Sequence, residues 1–208
     1  MADSLISADV LDSLVERVEA LQDAGRVIIG IAGKPGAGKS TLALALVEAL
    51  EDAAYLPMDG FHLADAALEA RELLEHKGAP ETFDPAGYGA LLERIAAGEG
   101  VWAPGFEREL EQPIAQSIWI GAETKVVVTE GNYLLLPAWQ RARDQLTETW
   151  FVQVPEEVRI RRLTWRHVHY GKTPFAAQDW VRTVDEPNSL IIEPTASLAD
   201  MIIDLQPH

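Results

Sequence analysis

Hydrophobic and polar residues follow two different spacings along the chain, and each spacing predicts one kind of element. Apolar runs rich in β-branched residues at 26–32 and 125–129 predict strands that are buried on both faces. Residues 7–23 carry apolar side chains at helical spacing opposite acidic ones, which predicts an amphipathic helix within the first 23 residues. Further strands are predicted at 54–58, 101–107, 117–120, 149–154 and 201–205, and further helices at 40–50, 64–74, 84–98, 155–170 and 174–183.

The order of these elements predicts the fold class. Strands and helices alternate, which is typical of an α/β protein with a mostly parallel central sheet flanked by helices. One helix has a clear beginning, because Asp84 can cap it and Pro85 suits its first turn. No internal repeat or obvious linker divides the 208 residues, a length that suits one core, so we expect a single domain over residues 1–208.

The chain is strongly acidic, and this limits its partners. It has 17 Lys and Arg against 33 Asp and Glu, a formal net charge of -16. Such a charge repels nucleic acid and anionic lipid, so neither is an expected partner, and any phosphate site must supply its own local positive charge. The absence of cysteine excludes disulfides, thiolate metal sites and cysteine catalysis. No apolar run is long enough to cross a bilayer and the start does not resemble a signal peptide, so we expect a cytoplasmic protein without membrane insertion.

A glycine-rich segment between a predicted strand and a predicted helix indicates a phosphate site. Residues 33–40, Gly-Lys-Pro-Gly-Ala-Gly-Lys-Ser, match the P-loop pattern G-x-x-x-x-G-K-[ST]. Its glycines let backbone N–H groups surround phosphate oxygens, Lys39 can reach the β- and γ-phosphates, and the Ser40 hydroxyl can bind Mg²⁺. A turn without a ligand is the alternative, but it would leave Lys39 unpaired beside the positive end of a helix. The predicted nucleotide-binding residues are Gly33, Lys34, Pro35, Gly36, Ala37, Gly38, Lys39, Ser40 and Thr41.

Two carboxylates follow predicted strands, at the sheet edge where α/β proteins bind ligands. Asp59 comes directly after strand 54–58, where it can accept the proton of an attacking hydroxyl; an ordinary Asp-Gly turn is the alternative. Glu130 ends strand 125–129 and, together with Ser40, can hold Mg²⁺; a carboxylate facing solvent is the alternative.

Positive charge concentrates late in the chain, as a phosphate site requires. Residues 159–172 hold five of the 17 Lys and Arg side chains. Arg159, Arg162 and Arg166 share one face of a predicted helix. We expect residues 156–183 to form an Arg-rich lid and a following helix, with Arg162 and Arg166 reaching the transferring phosphoryl group. A solvated helix is the alternative.

Together these segments resemble the P-loop small-molecule kinases that include uridine kinase, bacterial pantothenate kinase and phosphoribulokinase. Within that family the chain is most similar to bacterial proteins described as fructose-transport-system kinases. The resemblance runs from about residue 24 to the end of the chain. Besides the P-loop it rests on Met-Asp-Gly-Phe-His at 58–62, Lys-Gly-Ala-Pro-Glu-Thr-Phe-Asp at 77–84, Ala-Pro-Gly-Phe-Glu-Arg at 103–108, Thr-Glu-Gly-Asn-Tyr at 129–133 and the Arg-rich stretch 159–166.

The resemblance implies a P-loop NTPase three-layer sandwich that uses ATP and Mg²⁺. It implies that Asp59 is the catalytic base, assisted by Lys39, Arg162 and Arg166. It also implies a second set of residues, those that contact the substrate: Asp59, His62, Phe83 and Arg108. For His62 a position at the surface is the alternative. The chain departs from many relatives at Glu107, where they have the shorter Asp.

These observations favour transfer of a phosphoryl group from ATP to a hydroxyl of a small metabolite. A sugar such as fructose, a nucleoside and a pantothenate-like acid all remain possible acceptors. A GTPase switch is disfavoured, because neither Asn132 nor Asn188, the two asparagines of the chain, precedes lysine as guanine recognition commonly requires. An ATP-binding accessory protein without phosphotransfer is the other alternative. A homodimer is expected only because such pairs are common.

Overall fold

The central sheet consists of five parallel strands. The structure, a computed structural model, describes residues 6–22 and 25–206. The strands are β1 (Val27–Gly33), β2 (Ala53–Pro57), β3 (Val101–Glu107), β4 (Gln112–Ile120), β5 (Val126–Glu130), β6 (Glu148–Gln153) and β7 (Met201–Asp204). The sheet has the order β2-β5-β1-β6-β7, and each neighbouring pair is parallel. The predicted mostly parallel α/β sheet is therefore confirmed, and the carboxyl ends of all five strands share one edge.

Helices cover both faces of this sheet. They are α1 (Ala8–Leu21), α2 (Lys39–Ala49), α3 (Asp65–Glu69), α4 (Pro85–Ala96), α5 (Gln140–Arg143), α6 (Glu156–His169), α7 (Pro174–Trp180) and α8 (Glu186–Ile192). Asp84 caps α4 by accepting a hydrogen bond of 2.8 Å from the backbone N–H of Gly87. The expected start of that helix is thus confirmed.

Some helix boundaries differ from the prediction. The helix expected at 64–74 ends at Glu69, and Glu72 then adopts a positive φ of 58°, which a continuous helix does not allow. The helix expected at 174–183 extends further than predicted: α7 leads directly into one π-helical turn, Val181–Asp185, which leads directly into α8.

The buried side chains form two clusters, one on each face of the sheet. Along β1, Ile28 belongs to one cluster and Ile29 to the other, because successive side chains of a strand point to opposite faces. The first cluster includes Leu92 of α4, and the second includes Leu42 of α2. The three layers are therefore helices, sheet and helices, as a P-loop sandwich requires.

Strands β3 and β4 form a separate antiparallel hairpin. The second strand begins at Gln112, whereas the prediction began at 117. The prediction began too late because the first residues of the strand are mostly exposed and lack the apolar alternation that marks a strand. The hairpin lies directly against the turn after β2: a Cβ on Gly60 would come within 2.3 Å of the Pro104 carbonyl oxygen. A glycine is therefore required at this contact.

None of the helices in the described ranges has the length and apolar character that crossing a bilayer would require.

The α4 layer provides a test of the packing. Leu92 is fully buried, whereas Leu190 on α8 is 72% exposed. We expect Leu92→Ala to lower the free energy of unfolding by about 2–5 kcal/mol, because it leaves a cavity, and Leu190→Ala to change it by no more than about 0.5 kcal/mol. Urea denaturation followed by circular dichroism measures both. Equal losses would contradict the described burial of α4.

Candidate active site

The P-loop joins the end of β1 to the start of α2. Gly36 and Gly38 adopt positive φ angles of 80° and 100°, which other residues rarely tolerate. No described side chain caps the first turn of α2, so its N–H groups are available to an anion. A Cβ on Gly36 would lie 2.7 Å from Leu163 Cγ and 3.0 Å from the Arg159 carbonyl oxygen. The loop thus packs directly against α6.

Lys39 is a buried cation, only 7% exposed. Its Nζ donates hydrogen bonds to the Asn132 Oδ1 at 2.6 Å and to the Lys34 carbonyl oxygen at 3.1 Å. Burial lowers the pKa of Lys39 to about 8, and the charges of Glu130 and Asp59 oppose that shift. Asn132 was not among the predicted site residues, although its position two residues after Glu130, at the same strand end, is a usable signal.

Glu130 lies at the end of β5, next to the P-loop, and is 5% exposed. Its Oε1 accepts hydrogen bonds from Ser40 Oγ at 3.0 Å and from Tyr55 Oη at 2.7 Å. Burial raises the pKa of Glu130 above its usual range. Sequence reasoning also missed Tyr55, because a tyrosine on a strand carries no motif.

The oxygens of Ser40 and Glu130 suit Mg²⁺, which prefers hard oxygen ligands. The described residues contain no group of three or more acidic or histidine side chains arranged for a metal ion. Two protein oxygens would leave the remaining positions around an octahedral Mg²⁺ to phosphate and water.

Asp59 lies in a 3₁₀ turn directly after β2 and faces the hairpin. Its Oδ2 is 2.5 Å from Arg108 Nη2, and the Arg108 guanidinium also lies 5.3 Å from the centre of the Phe106 ring. Burial opposes ionisation of Asp59, but the nearby cations, Arg108 first, outweigh it and lower the pKa of Asp59. The carboxylate is therefore kept ionised, in the state that can accept a proton.

His62 and Phe83 lie together beside Asp59. The His62 ring is 3.8 Å from the Phe83 ring and 4.9 Å from the Phe106 ring, and its Nδ1 lies 3.0 Å from the Asp59 carbonyl oxygen. Burial lowers the pKa of His62, which favours the neutral imidazole. Phe83 is 5% exposed and also packs against Tyr133, so it contributes more to the core than to an open pocket.

The three arginines on one face of α6 have different surroundings. Arg159 is fully buried, donates to the Pro35 carbonyl oxygen at 3.2 Å, and pairs with Glu156 and Glu186. It therefore joins α6 to the P-loop. Arg162 Nη1 is buried and has no hydrogen-bond partner among the described residues. Burial, together with the charge of Arg108, lowers the pKa of Arg166.

Lys34, the second residue of the P-loop, forms ion pairs with two glutamates. Lys34 Nζ lies 3.0 Å from Glu156 Oε2 and 3.6 Å from Glu193 Oε1. Its side chain is thus held by one acid at the start of α6 and by one in the segment after α8.

The chain is similar to several known proteins over most of its length. "Uncharacterized protein YggC" of Escherichia coli (strain K12) is 30% identical over 203 residues, which cover 92% of this chain and 84% of that protein. "Putative uridine kinase C227.14" of Schizosaccharomyces pombe is 34% identical over 179 residues, covering 77% and 74%. The crystal structure of a "putative fructose transport system kinase" from Silicibacter sp. TM1040 is 35% identical with a TM-score of 0.85, covering 93% of this chain and 98% of that one. No protein-family model matches the chain.

The link between Glu156 and the P-loop predicts a pH dependence of stability. Hydrogen bonds from Arg159 and Lys34 lower the pKa of Glu156 from its usual 4.5 to about 2. Between these values the unfolded state binds more protons than the folded state, so the stabilisation is complete above pH 4.5 and is lost as the pH falls to 2.

Thermal unfolding at a series of acidic pH values measures this effect. We expect Glu156→Gln to lower Tm near neutral pH, by a modest amount because the side chain is 47% exposed. The difference from wild type is expected to shrink as the pH falls from 4.5 to about 2 and to vanish below that, where the wild-type carboxyl is protonated. Glu48→Gln, on the exposed side of α2, serves as the control and is expected to show no such trend. A constant difference for Glu156→Gln would contradict the linkage.

Proposed function

This chain belongs to the family of P-loop small-molecule kinases that includes uridine kinase, and from that membership we propose that it transfers the γ-phosphoryl group of ATP to a hydroxyl of a small metabolite with the help of Mg²⁺. The observation that carries the proposal is the meeting of three groups at one sheet edge: Lys39 of the P-loop, Glu130 bonded to Ser40, and Asp59. They follow three adjacent strands, β1, β5 and β2.

The triphosphate binds at the P-loop. Backbone N–H groups of the loop and the first turn of α2 donate to its oxygens, and the helix dipole favours the negative charge. Lys39 exchanges its hydrogen bond to Asn132 for the β- and γ-phosphates. A buried ammonium gains more from an anion than from an amide oxygen, so the bound nucleotide favours this exchange.

Ser40 and Glu130 would hold the metal ion beside the phosphates. When bound, Mg²⁺ neutralises phosphate charge and orients the γ-phosphoryl group for displacement. The two residues already lie together: Glu130 accepts a hydrogen bond from Ser40 and is shielded from bulk water.

Asp59 serves as the base. Its carboxylate accepts the proton of the acceptor hydroxyl while the hydroxyl oxygen bonds to the γ-phosphorus and the bond from phosphorus to the ADP oxygen breaks. Lys39, Arg162 and Arg166 neutralise the negative charge that shifts onto the phosphoryl and leaving oxygens. The Nη1 of Arg162, buried and without a hydrogen-bond partner in the described part of the chain, supports this role, because a buried donor without a partner is costly until an anion binds it.

The acceptor binds where the hairpin meets the Asp59 turn. Arg108 offers hydrogen-bond donors there, and the rings of His62 and Phe106, tilted by 44° to each other, lie beside it. A sugar such as fructose, a nucleoside or a pantothenate-like acid suits such surroundings. The names of the relatives support the range: one is called a "putative uridine kinase" and another a "putative fructose transport system kinase".

A panel of acceptors tests the reaction. Purified protein with Mg²⁺ and ATP is incubated with fructose, other sugars, nucleosides, pantothenate and glycerate, and products are detected by mass. We expect one class to be phosphorylated, and Asp59→Asn to lower kcat about 10²- to 10⁴-fold while retaining ATP binding. The matched control is Asp65→Asn, which breaks an ion pair with Lys77 that lies outside the three-group cluster.

Three results would contradict parts of this proposal. Equal losses in both variants would make Asp59 structural. ATP binding without turnover of any acceptor would favour an accessory protein of a transport system. Failure to bind ATP would refute the nucleotide site itself.

Removing the charge of Arg162 and removing that of Arg159 are predicted to have different effects on Tm. Arg162→Met removes a buried nitrogen without a partner among the described residues, so Tm is expected to stay the same or rise, while kcat falls about 10²-fold or more. Arg159→Met breaks bonds to Pro35, Glu156 and Glu186, and is expected to lower Tm. Thermal unfolding and steady-state kinetics distinguish them; a fall in Tm for Arg162→Met with unchanged kcat would refute its role as a phosphate ligand.

A further inference from the structure

Glu130 has a second hydroxyl partner that the mechanism above does not use. Its Oε1 accepts from both Tyr55 Oη, at 2.7 Å, and Ser40 Oγ, at 3.0 Å. Within the described residues, no hydrogen-bond donor engages Oε2. The two hydroxyls therefore hold the carboxylate by one oxygen and leave the other for a ligand.

The sheet register brings the tyrosine to this position. Tyr55 of β2 pairs with Val128 of β5, and Glu130 follows two residues later on the same face of that strand. The half-buried ring extends along the sheet toward the carboxyl edge, where its hydroxyl meets Glu130. Burial and the neighbouring carboxylate raise the pKa of Tyr55, so the phenol keeps its proton and acts as the donor.

A buried carboxylate with few partners is free to rotate and costly to desolvate. Ser40 is part of the loop that binds phosphate, so its hydroxyl is engaged by the ligand as well as by Glu130. Tyr55 stands on the sheet itself and is independent of the P-loop. Tyr55 is therefore the partner that can hold Glu130 in place when the P-loop and Ser40 bind a ligand.

We infer that Tyr55 is a positioning residue, which fixes Oε1 of Glu130 so that Oε2 can bind Mg²⁺ directly or through water. The inference rests on the proposed function, in which Ser40 and Glu130 hold the ion. Partners that orient metal ligands commonly change metal affinity about 10- to 100-fold when they are removed.

Nucleotide binding with and without Mg²⁺ tests the inference. Calorimetry gives the Kd for ATP in EDTA and in excess Mg²⁺, and their ratio is the gain that the metal supplies. We expect Tyr55→Phe to bind metal-free ATP as the wild type does, while the gain falls about tenfold or more. The half-saturating Mg²⁺ concentration for turnover is expected to rise by the same factor.

Tyr88→Phe is the matched control. It also removes a tyrosine hydroxyl bonded to β5, but its partner is Thr129 rather than Glu130. We expect it to lower Tm and leave the gain from Mg²⁺ unchanged. An unchanged gain in Tyr55→Phe, or an equal loss in Tyr88→Phe, would overturn the inference.

Glu130→Gln separates this inference from the proposed function. If it leaves the gain intact, the metal role of Glu130 is wrong, and the inference about Tyr55 is wrong with it. If Glu130→Gln abolishes the gain and Tyr55→Phe does not change it, the proposed metal site stands and only the role of Tyr55 is refuted.

Discussion

The candidate site depends on the burial of one positive charge. Lys39 is 7% exposed, and a charge taken out of water must be balanced by opposite charges and hydrogen bonds close by. Glu130 and Asp59 provide the charges, and Asn132 and the Lys34 carbonyl provide the hydrogen bonds. These groups come from the ends of parallel strands and from the loop between them. Parallel pairing thus places every group that balances Lys39 at a single edge.

The P-loop and α6 pack together as one unit. Gly36 allows the loop to approach α6, and Arg159 fills the space between them while bonding the Pro35 carbonyl. The three arginines of this helix therefore have different surroundings. Arg159 in the first turn bonds the loop, and Arg166 lies near enough to Asp59 and Lys39 for their charges to interact. Arg162 Nη1 is buried without a hydrogen-bond partner among the described residues. One face of three arginines in the sequence thus has three different surroundings in the structure.

The sheet could be predicted well from the sequence, because its central strands are short apolar runs between turns. The P-loop motif also identified the connection from β1 to α2. Elements without such a pattern were missed: α5 has four residues, and α8 contains Pro187, Asn188 and Ser189, which are poor helix formers. Within the site, P-loop and strand-end residues were found because their positions carry chemistry. Tyr55 was missed for a physical reason: only the register between β2 and β5 reveals which oxygen its hydroxyl meets.

The hairpin of β3 and β4 shares no strand pairing with the central sheet. It is anchored through Val101, Ala103 and Ile120, which are buried in the core, while Phe106 and Arg108 stand at its tip beside Asp59. In the proposed reaction, the hairpin residues that would meet the acceptor belong to a different structural unit from the P-loop that would bind ATP. Under that proposal, the tip of the hairpin can change, and with it the substrate preference, while the P-loop stays the same. In the laboratory the same separation makes residues 104–117 the natural segment to randomise in a search for altered acceptors.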